Sequence, residues 1–185
     1  SVFYHSLNLH LDQSLNNHCF EAVQSWITLE DVNKGDGTLI VLENSHLYHK
    51  EFSETFRFKC IDKNKDWFLL KEEHIQWYKN KGCRQIEIEC KKGGMVLWDS
   101  RTVHCGRNPL FNRTNKNRNR YVIYVCMTPK CWLKPEDSEK KKYAFLNNVM
   151  TTHWPHRPIL LPQLNNTLRY NIPVLSELGN NLTGF

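Results

Sequence analysis

His10-Leu11-Asp12 places an imidazole and a carboxylate one residue apart. In a strand, residues two apart project to the same face, so both groups point at one spot. Two imidazoles and one carboxylate on one face of an octahedron leave three positions open. That is the arrangement used by non-haem Fe(II) oxygenases. The third ligand must then come from a remote strand. The chain has nine His, so an His-x-Asp triplet arises easily. Taken alone it reads first as a surface His beside an Asp.

The surrounding elements are those of a strand-rich protein. Residues 2–10 read as extended, with Leu7, Leu9 and Leu11 alternating. Residues 22–29 form a second β-like run, around Val23, Trp26, Ile27 and Thr28. The turn Asn33-Lys34-Gly35-Asp36-Gly37 is rich in residues that tolerate positive φ, and a short strand follows over 38–42. The apolar spacing of Trp67, Leu70, Ile75 and Tyr78 predicts a helix over 66–81, stopped by Gly82. Residues 85–90 alternate as a half-exposed strand. Gly93-Gly94 turns the chain into a strand over 95–98, and residues 121–127 read as a buried strand. Pro135, Glu136 and Asp137 suit the first turn of a helix over 135–150. From Thr151 onward the chain is Pro-interrupted and irregular. Many short strands with few helices predict a β-sandwich or jelly roll with peripheral helices.

The order of motifs along the chain carries more than any one of them. It runs His10-Leu-Asp-Gln13, Gln24-Ser-Trp-Ile-Thr-Leu-Glu-Asp31, Asp36-Gly-Thr-Leu39, Asn44-Ser-His46, Gly94 to His104, Arg120 to Pro129, and Thr151-Thr-His-Trp-Pro155. In this order the chain resembles the phytanoyl-CoA dioxygenase family over almost its whole length. The resemblance implies a mainly β fold, a double-stranded β-helix (cupin-like jelly roll) with peripheral helices. It implies Fe(II) held by His10, Asp12 and His104, 2-oxoglutarate as co-substrate and O2 as oxidant. The activity implied is dioxygenase hydroxylation of a small-molecule or acyl substrate, with release of succinate and CO2. Family members carry a substantial region before the His-x-Asp strand, whereas nine residues precede His10. The expectation is one oxygenase domain over 1–185, lacking its N-terminal segment.

The family's 2-oxoglutarate Arg lies after the distal His, just before the final core strand, and Arg120 matches that slot. A guanidinium meets a carboxylate with two parallel charge-assisted bonds, which Lys cannot match. Arg118 shares strand parity with Arg120, so spacing leaves both open; nearness to the strand at 121–127 favours Arg120. Arg101 and Arg107 lie too near His104 to reach the far end of the co-substrate. Trp26 and Gln24 share a face, and the resemblance implies that one or both line the co-substrate pocket. His46 is expected to hydrogen-bond a turn. His5, His18, His49 and His74 have no partner at ligand spacing. His153 and His156 suit packing or the site mouth. Cys105 points away from His104's face.

Composition bounds the rest. The net charge of +6 suits a solubilising surface, and no basic-aromatic stripe invites nucleic acid. The Lys-rich run 134–142 contains Glu136, Asp137 and Glu139, and reads as a solvated helix start. Seven cysteines, with no CxxC pair, suit a reducing compartment and hence a cytoplasmic protein. No apolar run reaches membrane-spanning length. Three other functions remain open to the same residues: an inactive jelly-roll ligand-binding protein, an oxygenase acting on a macromolecule, and a zinc hydrolase using His, Asp and His.

Overall fold

A computed structural model describes residues 7–56, 66–161 and 171–185. The chain forms two compact units, Ser1–Val125 and Cys126–Phe185.

The first unit is built on two sheets. One has the order β4 (Phe68–Leu69), β1 (His10–Leu11), β7 (His104–Arg107), β3 (Thr38–Leu42), β5 (Gln85–Glu87). The other has the order β6 (Met95–Asp99), β2 (Val23–Thr28), β8 (Val122–Met127). The β1–β4, β1–β7, β3–β7, β3–β5 and β2–β6 pairs are all antiparallel.

Strand β3 shows why the sheets stack. Its run Thr-Leu-Ile-Val-Leu is apolar on both faces, as a central strand covered on both sides must be. Leu39 and Val41 join Trp26, Val96, Trp98 and Val122 of the other sheet, so the two sheets face one another. Ile40 and Leu42 point the opposite way. They join Leu9, Leu11, Val103 and Cys105 against Phe52 and Tyr78. Phe52 lies on α1 (His49–Thr55) and Tyr78 on α2 (Glu72–Asn80). Phe52 is fully buried among the rings of Phe56, His74 and Tyr78. Burying such a side chain stabilises by roughly 1.5–3 kcal/mol.

Several expected elements shift. The helix expected over 66–81 begins only at Glu72. Phe68 and Leu69 pair instead with Leu11 and His10, and Leu70 N–H donates to Leu9 O at 2.9 Å. The apolar spacing that resembled a helix there belongs to a strand packed on the same core. His74 is buried in α2 and accepts from Lys71 N–H through Nδ1 at 3.1 Å, closing the first turn. Gly82 ends the helix with φ +85°, and Gly35 takes φ +84° in the expected turn. The strand at 121–127 forms as Val122–Met127 but is not buried throughout. Ile123 is 51% exposed and Tyr124 63%, because β8 is the edge of its sheet with β2 as its neighbour. Of the extended stretch expected at 2–10, residues 2–6 lie outside the described residues, as does His5.

In the second unit α3 spans Pro135–Leu146 with Pro at its N-terminus and Glu136 and Asp137 in its first turn. It ends before Met150 because Asn148 takes φ 54°. Met150–Thr151 (β9) then pairs with Leu160–Leu161 (β10). The Lys-rich face is paired internally, Lys140 to Asp137 at 2.7 Å and Lys142 to Glu139 at 3.0 Å. The tail expected to be irregular carries α4 (Glu177–Thr183), capped where Gly179 N–H donates to Ser176 Oγ at 3.1 Å. His153 lies against Trp154, and His156 against Trp132 and Trp154. No helix among the described residues is long and apolar enough to cross a membrane.

His49 opens α1 almost fully buried, with Nε2 3.2 Å from Ser14 O. Burial pushes its imidazole down to about 4. The unfolded chain therefore binds a proton near pH 6.5 that the folded chain refuses until about pH 4. Stability is full above 6.5 and falls as pH drops through that window, by roughly 3 kcal/mol at about 1.4 kcal/mol per pH unit. Urea midpoints between pH 7 and 4.5 are expected to fall less steeply in His49→Gln than in the parent chain.

Candidate metal centre

Strand pairing, not local sequence, assembles the centre. His10 of β1 sits directly opposite His104 of β7, with ring centroids 4.6 Å apart. Asp12 follows β1 on the same side. Its Oδ1 lies 3.6 Å from His10 Nε2 and its Oδ2 3.3 Å from His104 Nε2. The ligand atoms of these three residues all lie within 4.8 Å of one another. Asp12 and His104 are 9% and 5% exposed, so the centre is largely withdrawn from water.

The tautomers follow from the backbone. His10 Nδ1 lies 2.7 Å from Asn8 O, and His104 Nδ1 lies 2.8 Å from Thr102 O. A carbonyl only accepts, so in each neutral ring Nδ1 carries the proton and Nε2 the lone pair. This is the outer-shell arrangement that orients metal-binding histidines.

Two glutamines brace the centre, and sequence reasoning read neither role. Gln24 donates from Nε2 to Asp12 Oδ2 at 2.7 Å. Gln13 is fully buried and accepts from Ser100 Oγ at 2.6 Å, while its Nε2 donates to Asn17 O and Cys19 O, each at 2.7 Å. It thus ties the segment after Asp12 to the turn before His104. The chain bends immediately after Asp12, so strand parity said nothing about Gln13.

A second polar locus lies on β2 and ahead of β8. The guanidinium of Arg120 stands over the Trp26 ring, 5.1 Å from its centroid. Arg120 makes no hydrogen bond or ion pair with any described residue. Arg120 Nε, Trp26 Nε1 and Gln24 Oε1 are buried without a hydrogen-bond partner among the described residues. Buried polar atoms are rarely left so, because desolvation then goes unoffset. The other candidate arginines are engaged. Arg118 donates to Asp31 O at 3.1 Å. Arg101 grips Asp99 through Nε and Nη2. Arg107 pairs with Glu87 and donates to Asp36 O. Arg113 binds Asp36 and the carbonyls of Lys116 and Arg118, clamping the basic loop onto the Gly turn.

A cavity of about 360 Å³ lies between the sheets, walled by Val41, Ile88, Val96 and Trp98, with His46 and Asp99 among its polar residues. The Trp98 ring is 5.5 Å from that of His104. Burial alone would raise the Asp99 carboxyl, but the hydrogen bonds from Arg101 outweigh it and hold it below the usual carboxylate range. His46 sits on a short 3-10 helix, Ser45–Tyr48, outside the His10–Asp12–His104 cluster. Cys105 faces the helical core as expected, and burial pushes its thiol up to about 11, which disfavours the thiolate. Among the described residues Cys19, Cys83, Cys90, Cys105, Cys126 and Cys131 are free thiols.

The donor set fits a divalent cation: two imidazoles and one carboxylate, each oriented by an outer partner. Antiparallel strands wound into two facing sheets around such a cluster define the class, a double-stranded β-helix with a facial His/Asp/His centre. The chain belongs to the phytanoyl-CoA dioxygenase (PhyH) family, whose model matches residues 3–119. That is a family of 2-oxoglutarate-dependent non-haem iron oxygenases.

The chain is 29% identical over 153 residues to Ava biosynthesis cluster protein O of Aspergillus versicolor, a match that covers 80% of this chain and 48% of the relative. It thus spans about half the length of that curated relative. Among solved structures, it resembles a putative oxidoreductase from Salmonella typhimurium LT2 with TM-score 0.55 and 17% identity, covering 91% of this chain and 40% of that one. It also resembles GlcNAc Inducible Gene 2 from Candida albicans with TM-score 0.53 and 19% identity, covering 77% of this chain and 44% of that one. These likenesses concern the fold.

Proposed function

We propose that this protein is an Fe(II)- and 2-oxoglutarate-dependent dioxygenase that hydroxylates a small-molecule or acyl substrate, releasing succinate and CO2. His10, Asp12 and His104 hold the iron, and Arg120, seated on Trp26, holds the far carboxylate of 2-oxoglutarate. The observation that carries this reading is the convergence of the three ligand side chains, joined by a guanidinium over Trp26 that no hydrogen bond or ion pair with a described residue engages.

Bound in this centre, Fe(II) supplies O2 activation coupled to decarboxylation of the co-substrate. The chain's own residues bind and orient. Asn8 O and Thr102 O keep Nε2 of each imidazole directed inward. Arg120 neutralises and aligns a carboxylate where water is scarce, which strengthens each charge-assisted bond. Val41, Ile88 and Val96 give the cavity an apolar wall against which a substrate's hydrocarbon part could pack. A relative named for a biosynthesis cluster favours a small-molecule substrate over a macromolecule.

The test is succinate formation from 2-oxoglutarate by the 185-residue chain with added Fe(II), without O2 as the control. Succinate that requires both metal and O2 supports the reading. Metal-bound chain that makes none, with or without small-molecule acceptors, overturns it.

A further inference from the structure

We infer that Gln24 is a positioning residue for the metal centre: its side-chain amide holds the Asp12 carboxylate in the orientation that faces His10 and His104. This rests on the reading of His10, Asp12 and His104 as the metal site.

The orientation of the amide is set by chemistry. An ionised carboxylate only accepts hydrogen bonds, so the NH2 of Gln24 must face Asp12 Oδ2, 2.7 Å away. That choice leaves Gln24 Oε1 buried without a partner among the described residues. The protein tolerates that unpaired acceptor, which is expected where the donated bond serves the site. Gln24 lies on β2, in register with Trp98 on β6. It is 3% exposed, so the bond forms away from competing water. Asp12 sits just beyond the short strand β1, with Oδ1 3.6 Å from His10 Nε2 and Oδ2 3.3 Å from His104 Nε2. The bond from Gln24 adds to these contacts in fixing the carboxylate's last torsion. Turning the carboxylate away from the two imidazoles would give up the bond from the amide to Oδ2.

Co(II) titrated into the full 185-residue chain under argon tests this, because its visible bands report coordination without any turnover. The parent chain is expected to bind Co(II), and Asp12→Ala is expected to abolish binding. Gln24→Met keeps the side-chain volume and removes the donor. It is expected to lower Co(II) affinity roughly 10–100-fold, as loss of an outer-shell partner does. Its bands are expected to change in position and intensity as the carboxylate loses its set orientation. The urea midpoint of its metal-free form is expected to change little, since Asp12 loses one donor while the unpaired acceptor of Gln24 is removed with it. Gln24→Asn keeps an amide too short to reach Asp12. It is expected to show the same loss, and decides the matter if Gln24→Met does not fold. Parent-like Co(II) affinity and bands in the folded Gln24 variants, with binding still abolished in Asp12→Ala, would overturn the role of Gln24 and leave the site intact. Unchanged binding in Asp12→Ala, or none in the parent, would overturn the site and this inference with it.

Discussion

Asp12→Ala is expected to reduce iron-dependent 2-oxoglutarate turnover to background while leaving the fold standing. Asp12 supplies the one carboxylate of the cluster, between His10 Nε2 and His104 Nε2. Two neutral imidazoles alone carry no charge to offset a divalent cation. The loss should therefore exceed the roughly 10–100-fold that removing an outer-shell partner costs. The fold should survive, because Asp12 is not part of either apolar core. The structural penalty includes an orphaned donor on Gln24, worth about 1–3 kcal/mol. Succinate release gives the first quantity and thermal unfolding of the metal-free protein the second. Substantial turnover in a folded Asp12→Ala chain would remove the triad from the mechanism.

Arg120→Lys should raise the KM for 2-oxoglutarate roughly tenfold to a hundredfold, with kcat at saturation changed far less. Lys keeps the charge but replaces a planar fork by a point donor, and it loses the stacking that seats the guanidinium on Trp26. Charge-assisted hydrogen bonds contribute about 1.5–3 kcal/mol each, and every 1.4 kcal/mol is about tenfold. A loss confined to ground-state binding appears in KM rather than kcat. Arg118→Lys is the internal control. Arg118 already donates to Asp31 O, so its replacement should loosen the loop and move KM little. A larger KM effect at Arg118 than at Arg120 would reverse the assignment. Direct 2-oxoglutarate binding, followed by calorimetry with Mn(II) present, separates weakened co-substrate binding from weakened metal binding.

Local chemistry made much of this chain legible before any coordinates. The alternation of Gln85 to Cys90 and the apolar run Thr38 to Leu42 announced strands, and Gly35 and Gly82 take the left-handed conformations their positions suggested. The stretch 66–81 misled, because strand residues at Phe68 and Leu69 and helix residues from Glu72 onward bury their apolar side chains on one core. A helical period summed over both reads as a single helix. Tyr121 to Met127 misled in the other direction. Its composition is that of a core strand, yet position at the sheet edge leaves Ile123 and Tyr124 exposed.

The sequence by itself determined which groups were available and which shared a face: His10 with Asp12, and Gln24 with Trp26. It determined the run of strands, because period-two patterning is a property of neighbours along the chain. Only the tertiary structure decided that His10 lies across from His104, that Gln24 reaches Asp12, and that Arg118 donates to Asp31 O while Arg120 Nε has no hydrogen-bond partner among the described residues. Those outcomes depend on strand register and on how each buried polar group is satisfied. Both are settled between segments far apart in the chain, where local spacing carries no information.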